Sequence, residues 1–254
     1  MNKIFIVFAL FCIQLFAISF DQTKAVVSGI SGDTCEIYVG DLQIGQSAII
    51  THHYTNDNIA IIAVAEVISS NQTKSTLKIN YDEILAQDAF PKITRQIQNG
   101  DIAIINHLYS NVLIIAPNFE AFKASSAIFE NTNIQDPDII GAHFKIQNTA
   151  LPTKKDFQNF ANSQNIGLIV FAIDLQAYIV DAVSFKTIKI IDIAYEQKEN
   201  FKPFYTNIED IKSAIYEIGG SKIDNFDNYY KKLLDKEEKN DSSNPFAIFK
   251  KFTW

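Results

Sequence analysis

The stretch from Asn99 to Asn118 places the tightest constraint on this chain. It holds two short apolar segments, Ile102–Ile105 and Val112–Ala116, each introduced by turn residues (Asn99-Gly100-Asp101 and Ser110-Asn111). Upstream, apolar residues recur with a period of two or in short runs, as in strands. Downstream, helical spacing alternates with strands. The stretch therefore reads as a seam between an all-β half and an α/β half that unfold together. A charge placed at Ile104 or Ile114 is expected to destabilise both halves, because a buried unpaired charge is costly.

The chain opens with Lys3, an apolar run from Ile4 to Phe16, and small residues at Ala17 and Ser19. That order is the pattern of a secretory signal, and the run is short for a membrane span. Residues 1–19 are therefore expected to be a signal peptide cleaved after Ser19. Cys12 leaves with it, so Cys35 stands alone as a small buried hydrophobe without a disulfide partner. No second long apolar stretch follows, so no transmembrane segment is expected after cleavage. The formal charge of −7 becomes −8 without Lys3, and Arg95 is the one arginine. An acidic chain with no basic stripe argues against nucleic acid as a partner.

Residues 20–109 are expected to form a small β-barrel domain. The candidate strands are Ala25–Ile30, Cys35–Val39, Ala48–Tyr54, Ile59–Ile68, Thr73–Tyr81 and Ile102–Ile105. Short antiparallel strands must hide their edges, and a small SH3-like barrel does so. The glycine turns at Asp41–Gly45 and Asn99–Asp101 read as structural, because glycine reaches a positive φ at little cost. His52 and His53 are adjacent on a strand and point to opposite faces, so they cannot share a metal.

Residues 110–195 read as a β-α-β-α-β-β-β mixed sheet with its helices on one face. Asn118 caps a helix carrying Phe119, Phe122, Ser126 and Phe129 as a core-facing stripe. Asp136-Pro137-Asp138 reads as a turn into a strand with Ile140, Ala142, Phe144 and Ile146 alternating. Thr153 and Asp156 form a capping box for a helix with Phe157, Phe160 and Ala161 inward. Leu168–Ile173, Tyr178–Val183 and Thr187–Ile193 complete the sheet.

Residues 196–254 read as a helical, charged C-terminal tail. Thr206 and Glu209 open one helix lined by Ile208, Ile211, Ile215 and Ile218. A second helix runs from Phe226 to Lys239. The fold class is thus α+β: an antiparallel barrel, a mixed-sheet domain and a helical tail.

No dinucleotide, phosphate-loop, zinc-protease, nucleophile-elbow or paired-cysteine motif is present in the sequence. No catalytic residue, metal or cofactor is expected from it. Asp41–Gly45, Ile61–Val64, Asn99–Asp101, Leu113–Asn118 and Asn165–Val170 nevertheless occur in a distinctive order. In them the chain resembles the N-terminal domain of plasminogen-binding surface proteins of the PgbA/PgbB type, over about Val39 to Ile193. Phe226–Lys236 is similar to the Tyr/Lys-rich helix that follows in those proteins.

The resemblance implies an exported, non-enzymatic protein of the bacterial cell envelope or surface that binds host plasminogen, a virulence-type host interaction. The alternative is a periplasmic scaffold or assembly module. Plasminogen carries kringle modules, which bind lysine. Members of the family can end in lysine, whereas Trp254 is last here, so the expected contact is an internal lysine beside a carboxylate. Lys231, Lys232, Asp235 and Lys236 meet that description, with Lys232 one helical turn from both Asp235 and Lys236.

Overall fold

Six short strands close into an antiparallel barrel in the order β1-β2-β5-β4-β3-β6, in a computed structural model that describes residues 20–55, 58–81, 95–196, 201, 203–208 and 225–240, the side chains of 236–240 excepted. They are β1 (Thr23–Ser31), β2 (Thr34–Ile37), β3 (Ser47–His53), β4 (Ile59–Ser70), β5 (Ser75–Asn80) and β6 (Ile102–Ile105). Closure leaves no free edge among them, which is the reason short strands adopt it. Val27, Cys35, Ile50, Leu77 and Ile105 point inward and are fully buried. Burial pushes the Cys35 thiol up to about 11, so it behaves as the packed hydrophobe its setting implies. Ile97, outside any strand, joins the same core from the segment leading into β6. Ile104, by contrast, lies at the barrel's outside and is only half-buried, so it is not the core position expected of it.

The second layer is a five-stranded mixed sheet in the order β11-β10-β9-β7-β8. Its strands are β7 (Asn111–Ile115), β8 (Asn133–Gln135), β9 (Leu168–Ile173), β10 (Gln176–Asp181) and β11 (Thr187–Asp192). β7 is parallel to both β8 and β9, and β9, β10 and β11 are joined as hairpins. β9 is buried along its whole length, as a central strand covered on both sides must be. The helices are α1 (Phe119–Ser126), α2 (Pro137–Ile146), α3 (Lys154–Ser163) and α4 (Phe226–Asn240).

Both faces of the sheet are covered, where one was expected. Leu113 and Ile115 of β7 face a core built with α2, α3 and α4. Val112 and Ile114 face the opposite core, to which α1 contributes Ala121. The side chains of a strand alternate between faces, so one apolar strand requires cover on both. The tail helix α4 is part of this packing, since Tyr230 and Leu234 are buried in it.

Two local readings are corrected. The segment with Ile140, Ala142, Phe144 and Ile146 is the helix α2 and not a strand. Asp136 caps it by accepting from Asp138 N, and Pro137 sits at its first position, where its fixed φ suits a helix. Ile140 and Phe144, four apart, are buried, whereas Ile146 is 81% exposed. The strand expected between the first two helices exists, but it is the shorter β8 that precedes Asp136. In α1 the sheet-facing residues are Ala121 and Ser125, and Phe119 is half exposed against Tyr205. Of the expected stripe, Phe122 packs partly buried against this core and Phe129, just past the helix, is buried in it.

The α3 capping box is present, with Thr153 and Asp156 bonded reciprocally. The signal segment 1–19, most of the helix expected from Thr206 to Ile218, and residues 241–254 lie outside the described residues.

The two layers meet at a buried polar joint. Asp181, at the end of β10, is fully buried. Its Oδ2 accepts from Ser47 N at 2.9 Å, Ser47 Oγ at 2.6 Å and Tyr109 OH at 2.6 Å. Its Oδ1 accepts from Val183 N at 2.9 Å and Ser184 N at 2.7 Å. Burial, and then the neighbouring carboxylate, hold the Tyr109 phenol well above its ordinary range. Gly45 completes the joint: its φ is +96°, and a Cβ there would lie 2.6 Å from Lys186 Cβ.

Candidate partner-binding face of the C-terminal helix

Helix α4 divides cleanly into two sides. Phe226, Tyr229, Tyr230, Leu233 and Leu234 pack on the sheet and its helices. Tyr230 lies against Phe157, Phe171 and Phe226, and its hydroxyl donates to Pro203 O at 3.1 Å. Tyr229 OH donates to Pro152 O at 3.0 Å. Burial pushes the Tyr230 phenol well above its ordinary value, so it stays a neutral donor. These contacts give the helix one fixed rotation about its axis.

That rotation sorts the expected site residues. Asn228, Lys232 and Asp235 are exposed and lie along the outer line of the helix. Lys231 turns sideways instead, and its ammonium pairs with Asp174 Oδ2 in the turn between β9 and β10. That hydrogen bond raises its pKa. Lys232 and Asp235 are thus brought together on one open face, and Lys231 is engaged elsewhere. The side chain of Lys236 lies outside the described residues. Lys232 makes no ion pair with any other described side chain.

Asp174 was invisible as a site residue in sequence. It sits at a positive φ of 46° in a two-residue turn, which reads only as punctuation. Asp181 carried a signal that could have found it, a single carboxylate within the apolar run from Ala177 to Val183.

Two other clusters of polar side chains serve the fold. His52 Nδ1 lies 2.6 Å from Asp101 Oδ1, and Gln98 N donates to Asp101 Oδ2 at 2.7 Å. No described hydroxyl or thiol bonds the other ring nitrogen of His52, so the pair ties the 95–101 segment to β3. His53 is exposed on the other side of the strand, as adjacent strand residues require. Asp136 and Asp138, which share a spacing with calcium loops, are both engaged in helix-end bonding. Asp138 accepts from Thr206 Oγ1, Asn207 N and Asn207 Nδ2. Among the described residues no group of three or more His, Cys, Asp or Glu is placed to hold a metal. No helix among them is long and apolar enough to cross a membrane.

The model of one family, described as plasminogen-binding protein pgbA N-terminal, matches residues 22–234. No protein of curated function matches the chain at significant similarity. The family match takes in the barrel, the mixed sheet and α4 as far as Leu234. The chain belongs to this plasminogen-binding pgbA N-terminal family.

Proposed function

We propose that this member of the family is an exported envelope or surface protein that binds host plasminogen, with Lys232 and Asp235 of α4 forming the contact. The observation that carries the reading is the family match over residues 22–234. The placement of α4 supports the choice of residues. A lysine-binding module recognises an ammonium with a carboxylate at a short distance. Residues three apart on a helix have Cβ atoms about 5–6 Å from each other, which suits that pairing. Lys232 and Asp235 are both exposed, whereas Lys231 is held by Asp174. The proposed activity is binding, with no chemical step.

The test is capture of plasminogen by the purified protein, with and without a free lysine analogue. The analogue and Lys232→Ala are each expected to reduce capture several-fold, and Lys231→Ala to reduce it much less. Capture indifferent to the analogue and to Lys232→Ala would remove the lysine-dependent contact. Absence of capture by folded protein would remove the plasminogen reading itself. Export is tested separately, by mass spectrometry of the natural protein for an N-terminus at Phe20 and by surface labelling of intact cells. Labelling only after the outer barrier is breached would favour a periplasmic role.

A further inference from the structure

The sheet changes direction at β7. The chain leaves β7 through α1 to reach β8 on one side, then returns through α2 and α3 to β9 on the other. The two connections lie on opposite faces. In open α/β sheets such a reversal leaves a crevice beyond the carboxyl ends of the strands, where ligands bind. A cavity of about 80 Å³ lies at that place, walled by Pro117, Ala172, Phe201, Phe226, Tyr230 and Asp227.

Asp227 is the unusual member of this wall. Its carboxylate is half-buried and has no hydrogen bond or ion pair with the described side chains. Burial raises its pKa, the neighbouring Asp174 adds to the rise, and Lys231 opposes it. Lys231 is already committed to Asp174. Tyr195 also faces this group, as a neutral phenol whose oxygen accepts from Leu175 N. Among the described residues, two carboxylates and one ammonium leave one carboxylate without a side-chain counter-ion, in the first turn of α4 and beside three aromatic rings. Aromatic faces attract cations, and their edges and the Pro117 and Ala172 surfaces suit an alkyl stem. At roughly 10–15 Å³ per water-sized occupant, the cavity holds about five to eight heavy atoms. That is the size of a four- or five-carbon amine, and too small for a nucleotide.

We propose that this cavity binds a primary alkylammonium, with Asp227 as its counter-ion and Phe201, Phe226 and Tyr230 around the stem. The site is separate from Lys232 on the outer line of α4, and it does not depend on plasminogen binding. The same chemistry is offered by a free amine and by a lysine side chain.

The test is an amide NMR titration of the purified protein without plasminogen. The probes are n-butylammonium chloride, n-butanol as the neutral isostere, and Nα-acetyl-lysine methylamide. Saturable shifts at Ala116, Ala172, Phe226 and Tyr230 are expected with butylammonium and not with butanol. Shifts with the lysine derivative as well would assign a peptide lysine, and their absence a free amine. Asp227→Asn should weaken binding at least tenfold, Asp227→Glu should retain it, and Lys231→Ala should tighten it by removing the nearest cation. Equal binding of butanol, no saturable shift, or unchanged affinity in a folded Asp227→Asn protein would overturn the proposal.

Discussion

Replacing Asp181 with alanine takes away the acceptor on which the joint between barrel and sheet is built. Five donors converge on this fully buried carboxylate, from Ser47 N, Ser47 Oγ, Tyr109 OH, Val183 N and Ser184 N. The two hydroxyls can rotate toward other acceptors, but the three backbone N–H groups cannot. Each buried donor left unpaired costs about 1–3 kcal/mol. Water entering the space of the lost carboxylate offsets part of this, so the expected loss is about 4 kcal/mol. That is a large share of the roughly 5–15 kcal/mol that holds a typical domain together. Tyr109→Phe removes one charge-assisted bond and should cost about 1.5–3 kcal/mol. The two changes should be strongly non-additive, because they share one interaction. The assay is urea unfolding followed by circular dichroism and tyrosine fluorescence. Since Asp181 ties β10 to β3 and to the β6–β7 link, its loss should also separate the transitions seen by the two probes. A loss under about 1 kcal/mol with one unchanged transition would refute the reasoning.

Gly167→Ala should be far worse than an ordinary glycine substitution, because a Cβ there would lie 2.3 Å from the Leu108 carbonyl carbon; thermal melts should fall by well over 5 °C. Ile114→Lys should destabilise by about 3–5 kcal/mol and Ile104→Lys by less than about 1 kcal/mol, since Ile114 is buried and Ile104 opens to solvent at the barrel's outside; equal losses in urea unfolding would contradict the register. Asp138 is pushed up by burial but held lower overall by its hydrogen bonds from Thr206 and Asn207. Its contribution is therefore present above the unfolded carboxyl value of about 3.9 and is lost as pH falls through the lower native value. Asp138→Asn should accordingly flatten the acid limb of the stability profile, and an unchanged limb would show that this anchor carries nothing.

The readings that survive rest on signals local in the chain. Thr153 and Asp156 announce α3 because both partners of a capping box lie within one turn. The Ile102–Ile105 and Val112–Ala116 segments read as strands because their apolar runs are bounded by turn residues. Phe226, Tyr230 and Leu234 share a face because helical spacing alone brings them together. The segment from Ile140 to Ile146 misled because alternation and a helical pair at Ile140 and Phe144 overlap, and Pro137 decided between them. Which of Lys231 and Lys232 pairs with the sheet was set by tertiary structure, since only the docking of Tyr230 and Leu234 turns Lys231 toward Asp174, 57 residues away. The same holds for Asp181, whose donors Ser47 and Tyr109 stand 134 and 72 residues away in sequence, and for the crevice at the end of β7. Periodicity determines which side of an element is apolar; what that side meets depends on how the layers pack, and charge pairing at long range follows only from that packing.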